Sequence, residues 1–392
     1  MEIITSILIL LVSSIIVGEI FDRFGAPEVI GQILSGVILG PALFGVIRPS
    51  GALSAIADVA LFFIVLLLGL EATSRTITQR FSKSLALSLS SFVIPTIIMF
   101  VMAYWFFGFS LVQAIIVSIG VGVPSISIVS VLLTHYSLVG TEDGDKILSS
   151  VIISDILAFV TLASVYDSFN PYLILLLAVL TTTFILGILY VAKLLRRHYR
   201  IISRFFTELN ARKNGEITIF AIVIVLGLVI ASVLQMIGIT FVLGAFFSGI
   251  LIEEVVVGKK VFRTLIHTFR RINASFFIPL FFSIAGLATQ LPSPSYILII
   301  AALVLADIIF SSLSTNYIGK KAFKTLKPES AMSILGGHGA VGVIIATVAL
   351  SDGLITVPLY SIIIFGTVVL SLIFPSLVKP TFKKRGRNSQ KA

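Results

Sequence analysis

The chain contains no cysteine. Disulfides, thiolate-held metals and thiol nucleophiles are therefore excluded, and cysteine usage carries no information about redox compartment. Charge is also scarce. Only 12% of the 392 residues are charged, 57% are hydrophobic, and the mean hydropathy is +1.13. A soluble domain carries about 25% charged residues to face water, so this composition excludes one. What fills the chain instead is a series of apolar runs of about 20 residues, the length that crosses a hydrocarbon core as a helix.

Thirteen such spans are expected, near 3–21, 27–45, 53–70, 84–107, 111–133, 146–166, 171–194, 215–235, 238–253, 273–290, 296–318, 330–350 and 356–378. The first run, Ile3 to Ile20, has no basic segment before it and no small-residue cleavage site, so it reads as a retained span. The net charge of +10 does not point to nucleic acid, because the basic residues fall in the loops between apolar runs. Arg23, Arg75, Arg80, Lys83, Lys146, the block Lys193 to Lys213, Lys259 to Arg271 and Lys320 to Lys327 all follow odd-numbered spans; only Arg48 lies opposite. Cytoplasmic loops carry the Lys/Arg excess, which places the N-terminus outside and the C-terminus in the cytoplasm. Residues 379–392, KPTFKKRGRNSQKA, read as a basic cytoplasmic tail near anionic headgroups. The lipid bilayer is thus the first expected partner, and no nucleic acid is expected.

The organising stretch is KILSSVIISDILAFVTLASVY, residues 146–166, with Asp155 near its middle. A carboxylate at that depth costs roughly 2.5–3.5 kcal/mol on insertion scales and usually marks an ion or proton pathway. The preceding span is interrupted by Gly120, Gly122 and Pro124, followed by Ser125 and Ser127. A broken helix beside an intramembrane acid is a common construction of ion sites in secondary transporters. The alternative is a structural acid paired with another helix, beside a simple proline kink.

The second half repeats the first. Gly31, Ser35 and Gly36 recur as Gly244, Ser248 and Gly249. The Leu61-Phe62-Phe63 run with Gly69 recurs as Leu280-Phe281-Phe282 with Gly286, and the break at Pro124 recurs at Gly336-Gly337-His338-Gly339. Each offset is about 215 residues, or seven spans. An odd number of spans turns the second copy over, so the expected fold is an all-α polytopic membrane protein with two inverted six-helix repeats and two broken crossing helices. Residues 1–194 hold the first repeat and a linking seventh helix, 195–214 a basic cytoplasmic loop, and 215–378 the second repeat.

Several segments resemble the monovalent cation:proton antiporter family, the sodium/proton exchangers, in their Kef- and Nap-like branch. They are FDRFGAPEVIGQILSGVILGP at 21–41, LFFIVLLLGLEA at 61–72, GITFVLGAFFSGILIEE at 238–254 and FFIPLFFSIAGL at 276–287. The resemblance covers essentially all thirteen spans. It implies a dimer-forming panel of helices beside a mobile core. It also implies an acid pair, here Ser154-Asp155, with Asp155 as the shared cation and proton ligand. Ser154 departs from the usual Asp or Asn; its hydroxyl can coordinate a cation but cannot carry a proton on and off. Where relatives place Lys or Arg in the eleventh span, this chain has Asp307, giving two core acids and no basic partner. Asp307 reads either as a second coupling group or as an acid bonded to Ser311 or Ser312. In the twelfth span His338 reads as a pH-sensitive group or as a cap on freed backbone at the break.

The expected function is antiport of a monovalent cation, sodium before lithium or potassium, for protons, with no resident cofactor. Potassium efflux, sodium-coupled organic anion transport, an intramembrane aspartyl protease built on Asp155 and Asp307, and a non-transporting sensor are the alternatives. Asp58 is a candidate lining of an outer funnel. Glu71, Glu216, Glu253 and Glu254 read as interfacial, and Trp105 as an interface anchor.

Overall fold

Ser6, Leu10, Ser14 and Gly18 form the one buried stripe of α1 (Ile3–Arg23). Its other faces are apolar and exposed, including Ile4, Leu8, Val12 and Ile16. That inverts the pattern of a soluble helix: small and polar residues turn inward, where close approach decides, and apolar ones face lipid. The helix α8 (Gly215–Met236) repeats this with Ile219, Val223, Gly227 and Ala231 buried in the same four-residue rhythm. In this computed structural model the described residues are 2–71, 81–138, 141–165, 204, 206, 208–212, 214–236, 241–252 and 257–377. The expected seventh span, the tail, and Glu253 and Glu254 lie outside them.

The remaining elements are α2 (Glu28–Leu39), α3 (Gly51–Glu71), α4 (Ser82–Phe106), α5 (Leu111–Gly122), α6 (Ile126–His135) and α7 (Glu142–Ser164), then α9 (Phe241–Leu251) and α10 (Lys259–Ile272). They continue with α11 (Ile278–Leu287), α12 (Pro294–Ala322), α13 (Pro328–Leu335), α14 (Ala340–Ser351) and α15 (Val357–Leu377). Seven of these are long and apolar enough to cross a membrane: α1, α3, α4, α7, α8, α12 and α15. Four more, α2, α5, α9 and α14, are apolar but shorter. Within α4, π-helical turns at Leu89–Val93 and Met102–Phe106 flank a segment that begins at Ile94-Pro95.

The helices form two groups. The panel comprises α1, α2, α3, α8, α9 and α11; the core comprises α4 to α7 and α12 to α15. The panel shows the repeat directly. Gly36 of α2 lies against the backbone of Ser283 and Gly286 in α11, and Gly249 of α9 lies against Leu66 and Gly69 in α3. These are the same two contacts with the partners exchanged, as a pseudo-two-fold axis requires. Likewise Gly31 packs on Val17 and Gly18 of α1, and Gly244 on Ala231 of α8. A Cβ on Gly36 or Gly69 would meet backbone oxygen, which cannot yield. Gly36→Ala and Gly69→Ala are therefore each expected to destabilise by about 1–3 kcal/mol and by similar amounts. Gly51→Ala, with open space around it, should stay within about 0.5 kcal/mol. Thermal melting in detergent checks all three.

One element differs from expectation. The basic segment after α9 is not simply a loop but the helix α10, with Val261, Phe262, Leu265 and Phe269 buried and its Lys and Arg residues largely outward. The i, i+3/i+4 apolar spacing that builds such a face was present, hidden beneath the charge. Arg270 of α10 pairs with Glu71 at the end of α3, 2.7 Å apart.

Candidate functional site at the helix crossing

The first break follows from local chemistry. Ser110 and Gln113 close a capping box that starts α5, and Pro124, which disfavours helix at the residue before it and donates no N–H, ends it. Residues 123–125 are left extended before α6 begins. The second break runs from Gly336 to Gly339, between α13 and α14. The two extended pieces lie antiparallel, with Pro124 bridged to His338 and Ser125 N donating to Gly337 O at 2.6 Å. The bridged residues are themselves equivalent positions in the repeat, so the crossing sits on the pseudo-two-fold axis. Gly342 permits it: a Cβ there would run into Gly120 O.

Four half-helix ends converge here, and α7 touches each of α5, α6, α13 and α14. Asp155 is 0% exposed, and neither of its carboxylate oxygens accepts a hydrogen bond from protein. Beside it, Ser154 Oγ lies 3.0 Å from Ser150 O and 2.8 Å from Ser88 Oγ of α4. If Ser154 donates to Ser150 and accepts from Ser88, one of its lone pairs remains free. Ser125 Oγ and Thr96 Oγ1 are also buried and unbonded. One turn along α7, Phe159 packs on Phe246 of the panel, ring centroids 5.3 Å apart. The side chain of Ser127 lies outside what is described.

His338 changes the expected electrostatics. It is fully buried, with Nδ1 2.6 Å from Gly336 O and Nε2 3.2 Å from Gly122 O. It therefore does cap backbone freed by both breaks. Its Nε2 also lies 3.4 Å from Asp307 Oδ2. An imidazole from the break in the twelfth span, far in sequence, thus faces Asp307. A neutral imidazole has one N–H, and the short contact to Gly336 takes it at Nδ1. Nε2 then faces two oxygens, Gly122 O and Asp307 Oδ2. Asp307 is not bonded to Ser311 or Ser312; Ser312 Oγ donates to Ile308 O, and Ser311 Oγ is unbonded. Asp58, near the start of α3, is exposed and takes no part in the crossing.

Sequence reasoning missed a second cluster. Lys146, expected in a loop, is 0% exposed. Its Nζ reaches Ala322 O at 2.8 Å, Asp143 Oδ1 at 3.1 Å and Glu142 Oε1 at 3.1 Å. Asp143, 1% exposed, accepts from the backbone N–H of Lys324, Thr325 and Leu326 and from the Thr325 hydroxyl. This joins the start of α7 to the turn between α12 and α13. The only local hint was an Asp three residues before a Lys at a capped helix start.

Among the described residues, no three His, Cys, Asp or Glu side chains converge on a metal position. The donors at the crossing are carboxylate, hydroxyl and carbonyl oxygens, which suit a hard cation. A buried, unbonded carboxylate beside two broken helices that cross within an apolar bundle defines the class of secondary ion transporters. The sodium/hydrogen exchanger transmembrane profile matches residues 7–384. A Na(+)/H(+) antiporter of Enterococcus hirae is 28% identical over 98% of this chain and 99% of its own. A probable Na(+)/H(+) antiporter of Methanocaldococcus jannaschii is 25% identical over 94% and 93%. The fold resembles the solved sodium proton antiporter MjNhaP1 of the same archaeon, TM-score 0.71 at 15% identity, over 95% of both chains. The chain belongs to the transmembrane sodium/hydrogen exchanger family.

Proposed function

We propose that this cation/proton antiporter works through Asp155, which holds a monovalent cation and a proton in turn as the core moves against the panel. The observation that carries this reading is the Asp155 carboxylate itself, fully buried and unbonded on α7, the helix that touches all four half-helices of the crossing. A bare carboxylate is costly in that setting. It is occupied by one ion or the other but not both, and exchange needs no separate coupling device. Ser154 and the backbone of residues 122–125 supply further oxygen, with Gly122, Pro124, Ser125, Ser127, Gly337, His338 and Gly339 shaping the crossing. The cargo is sodium before lithium or potassium, and no resident cofactor takes part. The N-terminus lies outside and the C-terminus in the cytoplasm, the two repeats are joined by the seventh helix, and the working unit is a homodimer.

The test is proton flux in proteoliposomes under imposed sodium, lithium and potassium gradients. Protons moving against a sodium gradient are expected; no cation-dependent flux would end this reading. Asp307 is proposed as a coupling group through its contact with His338. Asp307→Asn is expected to insert normally and to shift the pH profile of exchange by roughly one unit, the size of a ~1.4 kcal/mol change in proton affinity. An unaltered profile would return Asp307 to a structural role.

A further inference from the structure

One face of α12 carries more buried oxygen than protein partners satisfy. Asp307, Ser311 and Thr315 are at most 1% exposed. At four-residue spacing they stack along one side of the helix over about 12 Å. Both Asp307 oxygens, Ser311 Oγ and Thr315 Oγ1 make no hydrogen bond with protein. This face is turned toward α4, because Ser314 donates its hydroxyl to Ser90 O. Ser90 lies in the π-helical turn Leu89–Val93, and such turns recur at functional sites. At the inner end Thr96 of α4 adds another buried, unbonded hydroxyl, set against Gly122.

More than 90% of buried polar groups find a partner in protein or ordered water. Four unbonded polar groups along one helix interface therefore call for water, and the site is polar enough to hold it. Alanine or valine would have closed the same seam without that need. We propose that α4 and α12 enclose a file of water that runs from Thr315 past Ser311 to Asp307 and conducts protons to the Asp307–His338 pair. Each hydroxyl both donates and accepts, so a proton received on one side is released on the other with no net change in the hydroxyl. The transferred proton ends between Asp307 Oδ2 and His338 Nε2, and leaves by reversal of the same steps. Asp307 and His338 are the titratable groups at the inner end, and Lys320 lies exposed beyond the other. The inference rests on the reading of Asp307 as a proton-carrying group and on the C-terminal end of α12 facing the cytoplasm. It separates the proton's route from the cation's, which leads to Asp155 on α7.

The absence of cysteine supplies a clean experiment. Thr315→Cys, Ser311→Cys and Leu305→Cys are placed singly, Leu305 being 56% exposed on the outside of the bundle. Inside-out vesicles are treated with 2-aminoethyl methanethiosulfonate and modification is followed by mass. Cysteines at 315 and 311 are expected to react at least about tenfold faster than at 305, where hydrocarbon suppresses the reactive thiolate. Equal or slower reaction overturns the water file. This readout needs no transport, so it does not fail merely because Asp155 has been misassigned. The double variant Ser311→Ala/Thr315→Val is expected to lower the maximal exchange rate about tenfold, with half-saturating sodium unchanged. A wild-type rate also overturns it.

Discussion

Asp155→Asn is expected to give a correctly folded protein whose sodium-driven proton flux falls at least about 100-fold, to the level of empty proteoliposomes. The substitution preserves shape and volume while removing the charge and the titratable proton. No hydrogen bond from protein is lost, because neither Asp155 oxygen accepts one. An uncompensated buried charge is costly, so the variant should melt at the same temperature as the parent or higher. Loss of flux together with undiminished thermal stability separates a transport role from a structural one. Retained flux would refute the assignment, whatever the melting temperature.

The largest stability effect is expected at the start of the same helix. Asp143→Ala removes the acceptor shared by three backbone N–H groups, the Thr325 hydroxyl and Lys146. Among the described residues, it also leaves the fully buried Lys146 ammonium with only the Ala322 carbonyl and the part-exposed Glu142. Breaking a buried pair from one side costs roughly 3–5 kcal/mol, and unfolding in detergent should show a loss of that order. Adding Lys146→Met should recover part of it, since the stranded charge goes too. A double variant no more stable than Asp143→Ala would mean that the backbone N–H groups, and not the lysine, dominate. The cluster also bears on movement. It joins the start of α7 to the turn between α12 and α13, so that in the proposed mechanism Asp155 and Asp307 are carried on one body. The panel is joined separately by its glycine contacts, and the Phe159–Phe246 pair lies in the seam between the two bodies.

Much of this architecture is legible in the sequence. The positions of the two breaks, the acid-bearing helix beside them and the internal repeat all depend on local features. Proline and glycine interrupt helices wherever they fall, and a charge in an apolar run announces itself. The repeat was legible because close helix approach needs a small residue at a given place, and Gly36, Gly69, Gly249 and Gly286 are those places. The helix α10 was misread as loop because its charged face outweighed its apolar one in composition.

The pairing of His338 with Asp307 is of another kind. Each residue was visible in the chain, but nothing local says that a histidine in one break and an acid on α12 lie 3.4 Å apart. The Asp143 cradle was equally hidden, since its donors are backbone N–H groups of residues 324–326, which any residue but proline would provide. Local chemistry therefore settled where helices form, where they break and which face each one buries. Which buried polar groups meet was settled only by the three-dimensional arrangement of helices. Hydrogen bonds and ion pairs act over about 3–4 Å, and only the folded chain brings such distant positions that close.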